Sequence, residues 1–338
     1  MKQAQVVAPE KLVYRDIQPP VAGAGEVMIR VHRIGICGSD LHAYRGRHPL
    51  VSFPLVQGHE FSGYLEAIGP GVTGMKRGDL DTVQPAIGCG VCARCAEGLF
   101  AQCDKLQFIG GALPGAGSEL FAVRADHVVR LPDGTDPDDG AMIEPLSVAV
   151  HSVRRLGKIT GRFVLVVGGG TIGNLTAQVA LNMGAAAVAL VEINDFRRGI
   201  AEELGLVALK PAEGGEREHI RAALKGNSPD IVFECVGGER PLNLAIEVVR
   251  RGGSVVVVGV YEEPPRAAMI SVQDKEILLA GALMYTWDDY HSAVDLVAGG
   301  AVRLGPLRTH HFPFGRWSDA YRALIESSGK TMKVMIDV

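Results

Sequence analysis

An α/β fold in two parts, an antiparallel β region followed by a doubly wound parallel sheet, is what this sequence predicts. Three observations carry it. The N-terminal part alternates apolar and polar side chains in short runs broken by Gly and Pro. From Arg162 onward, continuous apolar runs alternate with helix-length stretches, as strands covered on both faces require. Between the two lies a dense cysteine loop, Cys89, Cys92, Cys95 and Cys103.

Length and composition set the frame. The 338 residues suggest about two domains at ~150 residues each, and a 47% hydrophobic composition supports a large core. The formal net charge of -4 argues against nucleic acid or an anionic membrane as a partner. Apolar runs such as Phe163 to Val167 and Val255 to Val258 are too short to span a bilayer. With six cysteines and no signal-peptide pattern, a reducing, cytoplasmic location is expected.

Residues 1–35 read as short antiparallel strands, interrupted by Pro-Pro-Val-Ala-Gly-Ala-Gly before Glu26. Two reactive-looking stretches follow. Gly35-Ile36-Cys37-Gly38-Ser39-Asp40-Leu41-His42 sets a cysteine between glycines, then Ser, Asp and His. Gly58-His59-Glu60-Phe61-Ser62-Gly63 adds two more zinc-competent ligand types. Each alone reads more readily as a buried Cys, a capping Asp and a core histidine. Together they point to a metal site.

The cysteine loop has the pattern C-x2-C-x2-C-x7-C. Four thiolates so spaced close a tetrahedron around one zinc ion, and Gly90 and Gly98 let the loop turn. An iron–sulfur cluster uses the same ligand type. Strand is expected again from Val123 to Pro132, then a helix opening at Ala141 and running to Leu156. Glu144 in that helix is either a buried carboxylate seeking a cation or a first-turn acid favoured by the helix dipole.

The strand ending at Val167 feeds Gly168-Gly169-Gly170-Thr171-Ile172-Gly173, a G-x-G-x-x-G, and a helix through Met183. A second strand, Ala187 to Val191, ends on Glu192, nineteen positions after Gly173. This is the Rossmann dinucleotide context. Gly168 permits the turn, Gly170 admits a pyrophosphate, and Gly173 lets the helix pack closely. Thr171 and Ile172 open the helix whose free N–H groups face the phosphates. Glu192 would bind the adenosine ribose diol and repel a 2′-phosphate. That argues for NAD over NADP, with Arg197 and Arg198 as a partial offset. Further strands are expected at Asp230 to Val236, Ser254 to Gly259 and Glu276 to Ala282, with a helix at about Arg240 to Arg250. Cys235 reads as a small buried hydrophobe.

In the tail, Trp287 to Ala298 and Ser318 to Glu326 read as helices, Pro306 to Pro313 and Lys333 to Val338 as strands. His310 and His311 face opposite ways on a strand and are read as non-ligands.

These motifs, with Glu144-Pro145-Leu146, stand in the order and spacing of the zinc-dependent medium-chain dehydrogenase/reductase superfamily, which the chain resembles over nearly its whole length. The resemblance implies a GroES-like β domain, residues 1–145 and 286–338, that carries both zinc sites. A Rossmann NAD-binding domain, 146–285, is inserted in it, and in such enzymes the catalytic zinc lies in the cleft between the two. By resemblance Cys37 and His59 are ligands of that zinc, completed by Glu60 or Glu144 and by water or substrate. Glutamate at 144, where simple alcohol dehydrogenases place a second cysteine, points to the polyol and sugar-acid, sorbitol dehydrogenase-like branch. The run His48 to Pro54 is similar to sugar-acid and cyclitol relatives.

Two departures stand out. The family's Gly-Asp-Arg-Val is here Gly78-Asp79-Leu80-Asp81, which bears on strand packing. The Arg-Tyr pair of sorbitol-type enzymes is Met284-Tyr285, which argues against sorbitol itself.

The expected reaction is reversible, NAD-dependent oxidation of a secondary alcohol of a polyol, cyclitol or sugar acid to the ketone. One catalytic and one structural zinc are expected per chain. Ser39 accepts the hydroxyl proton, His42 passes it toward solvent, Glu144 holds charge at the zinc, and Asp40 orients His59. Tyr44, Phe108, Tyr285 and Trp287 are candidate pocket residues. A homodimer or homotetramer is the family's usual state. The alternatives are a threonine 3-dehydrogenase-like enzyme and a non-catalytic nucleotide-binding protein.

Overall fold

The computed structural model describes residues 1–48, 51–212, 214–327 and 329–338. Pro49 and Leu50, in the middle of the run compared with sugar-acid relatives, lie outside the described residues. The chain divides into two units. One comprises Met1–Glu144, Thr286–Gly299 and Arg308–Val338, the other Pro145–Tyr285 and Gly300–Leu307. Residues 300–307, expected with the β unit, group with the second.

The first unit is built on a seven-stranded sheet. Its order is Arg308–Pro313, Lys333–Asp337, Glu26–Ile36, Glu60–Ile68, Leu80–Val83 and Val128–Arg130, with Leu120–Arg124 also on Glu26–Ile36. The last strand of the chain thus lies antiparallel against Glu26–Ile36, with Val334 opposite Ile36. Alternation along the strands delivers Val27, Ile29, Val31, Ile34, Phe61, Leu65, Val334 and Ile336 to one apolar core, closed by Trp317 and Tyr321. Arg308 meets Asp136, Asp138 and Asp139, which ties the returning tail to the helix Pro137–Ala141. That helix begins before the expected Ala141. Asp136 caps it, accepting from the Asp138 N–H, and Pro137 takes the first helical position. Ile143–Arg154 follows as a separate helix.

The second unit carries a six-stranded parallel sheet: Val207–Leu209, Ala187–Val191, Phe163–Val167, Ile231–Glu234, Ser254–Val257, Leu278–Gly281. In chain order this is 3-2-1-4-5-6, the doubly wound dinucleotide-binding order. The order reverses between Phe163–Val167 and Ile231–Glu234. Val207–Leu209 was not expected, and neither were the helices Asp195–Glu203 and Glu216–Ala223. The strand is three residues at the sheet edge, with Val207 47% exposed, too short and too wet for a hydrophobic pattern.

Candidate active site

Gly35 on Glu26–Ile36 pairs with Glu60, the first residue of the strand Glu60–Ile68. Cys37 and His59 therefore stand just off the same end of two neighbouring strands, although twenty-two positions separate them. A Cβ on Gly35 would fall 2.3 Å from Glu60 Oε2, so glycine leaves the room that this carboxylate occupies. Cys37 caps the helix Gly38–Tyr44, and its N–H donates to Asp40 Oδ2 at 3.0 Å. The sulfur of Cys37, a ring nitrogen of His59 and a carboxylate oxygen of Glu60 lie within 4.8 Å of one another.

Asp40, 3% exposed, turns its other oxygen toward His59, 3.5 Å from Nδ1. Burial works against a charged His59 ring. Asp40 and Cys37 outweigh it and hold the imidazole well above its usual range. Phe108 presents its ring edge-on to His59, with centroids 6.2 Å apart. A cavity of about 10 Å³ lies between Ser39, Asp40, Ala43, His48, Val51, Phe108 and Gly110. Ser39 and His42 both sit on the helix Gly38–Tyr44. Glu144 is buried at the start of Ile143–Arg154 but lies outside the 4.8 Å set. Its charge is felt at Lys333 and Tyr290.

The pocket expectations divide. Phe108 borders the site. Tyr44 is a core residue, stacked on Tyr321 at 4.2 Å and donating to the Glu10 carbonyl, because its helix turns that face inward. Tyr285 is 1% exposed. Trp287 packs among Phe100, His127, Tyr290 and His291. His311 is engaged by Asp337 and Asp138, and His310 by the Thr309 hydroxyl.

The four sulfurs of Cys89, Cys92, Cys95 and Cys103 also lie within 4.8 Å of one another. A tetrahedron with bonds of about 2.3 Å has sulfurs about 3.8 Å apart, so one ion fits. Backbone N–H groups are aimed at the sulfurs. Cys89 N and Lys105 N point at Cys103 Sγ at 3.3 and 3.4 Å. The Val91 and Cys92 N–H groups, with the Cys103 thiol, bring Cys89 down to about 6, while against the Gly90 N–H, burial and the neighbouring thiols push Cys95 up to about 11. Gly90 and Gly98 take positive φ as the turns need.

In the second unit, Gly168 has φ +102°, and a Cβ on Gly173 would fall 1.8 Å from the Gly168 carbonyl oxygen. No side chain fits there. A Cβ on Gly170 would meet nothing within 4 Å, which leaves open space over the N-terminus of the helix Thr171–Asn182. Glu192 Oε2 accepts from Gly169 N at 2.7 Å and Oε1 from Asn194 N at 2.8 Å. Two of its four lone-pair positions are used and two remain. Arg197 sits in the first turn of Asp195–Glu203, and its buried Nε has no hydrogen-bond partner among the described residues.

The alcohol dehydrogenase GroES-like domain matches residues 23–133, and the zinc-binding dehydrogenase domain matches residues 171–299. The 2-dehydro-3-deoxy-L-galactonate 5-dehydrogenase of Pseudoalteromonas atlantica is 35% identical over 93% of this chain and 92% of its own. This chain belongs to the zinc-binding alcohol dehydrogenase family. The L-galactonate-5-dehydrogenase of Escherichia coli is 30% identical to this dehydrogenase, covering 97% of this chain and 96% of its own. Among solved structures, an alcohol dehydrogenase from Escherichia coli complexed with NADH superposes with TM-score 0.92 at 28% identity, covering 100% and 99% of the two chains. A zinc-binding dehydrogenase from Sinorhizobium meliloti bound to NADP gives TM-score 0.91 at 28% identity with the same coverage.

Sequence reasoning missed three residues that the structure places at the candidate sites. Lys333, from the last strand, donates to both oxygens of Glu60 at 2.7 and 2.6 Å and to the Ile36 carbonyl at 3.2 Å. Burial opposes its ammonium, but Glu60 and Cys37 hold it above the usual range. Gln57, 2% exposed, stands between Asp40 and Tyr321. Glu234, fully buried where the parallel sheet reverses order, accepts from Val236 N, Gly237 N and the Tyr261 hydroxyl, which fixes the loop after its strand. The one available signal was a charged residue inside an apolar run, Phe233-Glu234 and Lys333-Val334.

Proposed function

We propose that this dehydrogenase oxidises a secondary alcohol of a polyol or sugar acid to the ketone, with NAD as hydride acceptor. The convergence of Cys37, His59 and Glu60 within 4.8 Å carries the reading. A thiolate, an imidazole and a carboxylate suit zinc, and three protein ligands leave a fourth position open, as a catalytic site requires. When bound, zinc supplies a Lewis acid for an alcohol oxygen, and NAD supplies the redox chemistry. Ser39 takes the hydroxyl proton and His42 hands it on. Asp40 keeps the His59 ring aligned. Glu144 adds negative charge nearby, which offsets a dication.

The β unit is the catalytic domain and the parallel-sheet unit the NAD-binding domain. A second, structural zinc belongs in the four-cysteine loop. A cluster of several irons would hold its cysteine sulfurs further apart than 4.8 Å, which favours a single ion. Glu192 supports NAD over NADP, because a 2′-phosphate would meet its carboxylate. The two galactonate dehydrogenases among the relatives support the substrate class. The six free cysteines fit the reducing cytoplasm. Among the described residues no helix is long and apolar enough to cross a membrane. A homo-oligomer is supported by the sheet edge Leu278–Gly281, where Leu278 is 56% and Leu279 38% exposed.

NADH appearance across a panel of polyols, inositols, aldonates and threonine, with zinc content measured in parallel, tests the proposal. Turnover by a Cys37→Ser variant at the wild-type rate would overturn it.

A further inference from the structure

Behind His59 a chain of buried polar groups runs to the C-terminal helix Trp317–Glu326. Gln57 Nε2 donates to the Asp40 carbonyl at 2.8 Å and faces Asp40 Oδ1 at 3.4 Å. Tyr321 donates its hydroxyl to Gln57 Oε1 at 2.6 Å. Tyr321 is 0% exposed, Gln57 2% and Asp40 3%. Water therefore has no ready access to substitute for any of these bonds, and each lost partner leaves a buried group unsatisfied.

The chain has one possible polarity. Asp40 offers Gln57 only acceptors, so the amide must turn its NH₂ toward Asp40 and its oxygen away. That oxygen can only accept, so Tyr321 must donate. Asp40 is thereby held by Cys37 N on one oxygen and by Gln57 on its other oxygen and its carbonyl. A carboxylate so fixed faces the near nitrogen of His59, Nδ1, at 3.5 Å and biases the ring to present Nε2 to a metal. Tyr321 is itself anchored. It stacks on Tyr44, with centroids 4.2 Å apart and planes within 12°. Tyr44 in turn donates to the Glu10 carbonyl at 2.8 Å.

We infer that Gln57 and Tyr321 are positioning residues for the His59 metal ligand, so that a residue 262 positions away in sequence tunes how tightly the catalytic-site metal is held. The inference rests on the reading that Cys37 and His59 bind a metal.

The test uses full-length Gln57→Met and Tyr321→Phe proteins loaded with zinc or cobalt(II). Metal release to an excess of a chromogenic chelator is followed, and the cobalt absorption spectrum recorded. The four-cysteine loop serves as an internal control in every sample. Loss of groups behind a metal-binding histidine costs about 10–100-fold in affinity. Gln57→Met should release the catalytic-site metal about tenfold faster and Tyr321→Phe several-fold faster. The cobalt bands assigned by their loss in Cys37→Ser should shift, and kcat should fall more than KM rises. Release from the cysteine loop should stay at the wild-type rate.

Unchanged release and an unchanged cobalt spectrum in both variants would overturn the inference, even if their melting temperatures drop, since that is what a purely structural role gives. If Gln57→Met does not fold, Tyr321→Phe, which removes one oxygen, decides alone. Wild-type protein that takes up no metal dependent on Cys37 would sink the underlying reading, and this inference with it.

Discussion

Lys333 Nζ lies 2.7 Å from one oxygen of Glu60 and 2.6 Å from the other, with both residues almost fully buried. A cation from the last strand thus neutralises a carboxylate of the proposed metal cluster. Removing one partner of a buried pair strands the other charge, at a cost of about 3–5 kcal/mol. Lys333→Met should lower the melting temperature of metal-free protein sharply, and added zinc should restore part of the loss by supplying another positive charge. Thermal melts with and without zinc check this; equal losses in both would contradict it.

Asp81 stands where the strand-packing question was raised. The strand Leu80–Val83 forms, but Asp81 is 1% exposed and neither of its oxygens has a hydrogen-bond partner among the described residues. Burial, reinforced by Asp79 and opposed by Arg130, pushes its carboxyl up to about 7. The folded protein therefore holds this proton more tightly than the unfolded chain, whose carboxyl titrates near ~3.9. This group's contribution to stability is fully present below that lower value and is lost as pH rises through about 7. Asp81→Asn should thus stabilise more at pH ~8.5 than at pH ~5, by on the order of 2 kcal/mol. Urea titrations at the two pH values measure the difference, and a pH-independent gain would contradict it.

Zinc content should separate the two clusters. Cys103→Ser should lose about one equivalent and much thermal stability, since that loop has few buried side chains to hold it together without the proposed zinc. Cys37→Ser should also lose about one equivalent but keep most of its stability. Elemental analysis beside calorimetry tells the two patterns apart.

Gly173→Ala should weaken NADH binding by at least about tenfold, or 1.4 kcal/mol, because its Cβ would displace the Gly168 carbonyl. Glu192→Ala should narrow the gap between NADH and NADPH by removing the charge that opposes a 2′-phosphate. Fluorescence titration with both nucleotides reads each effect.

Leu278→Glu places a charge on the exposed sheet edge. If that edge joins copies of the chain, sedimentation should show a smaller species with an unchanged circular dichroism spectrum. A sedimentation coefficient equal to that of wild type would remove this edge from the proposed interface.

Several of these features were legible before any coordinates. Motifs whose chemistry is local in sequence read directly: the cysteine loop closes within one turn-rich segment, and the glycine loop lies between one strand and one helix. The short edge strand Val207–Leu209 was not legible, because three residues that run from exposed Val207 to buried Leu209 carry no periodicity. Tyr44 misled for a related reason, since an aromatic beside a reactive motif gives no sign of which way its helix turns.

Residue types and spacings by themselves determined the two-part α/β plan, the ligand candidates Cys37, His59 and Glu60, and the acidic residue at 192. Tertiary structure alone decided what stands behind them: Lys333 against Glu60, Tyr321 through Gln57 and Asp40 toward His59, and Asp81 without a hydrogen-bond partner among the described residues. The physical reason is burial. A charge or hydroxyl taken out of water either finds its partner across the fold or, as at Asp81, is driven toward its neutral form, and pairing the last strand with Glu26–Ile36 brings together residues that nothing local in the chain connects.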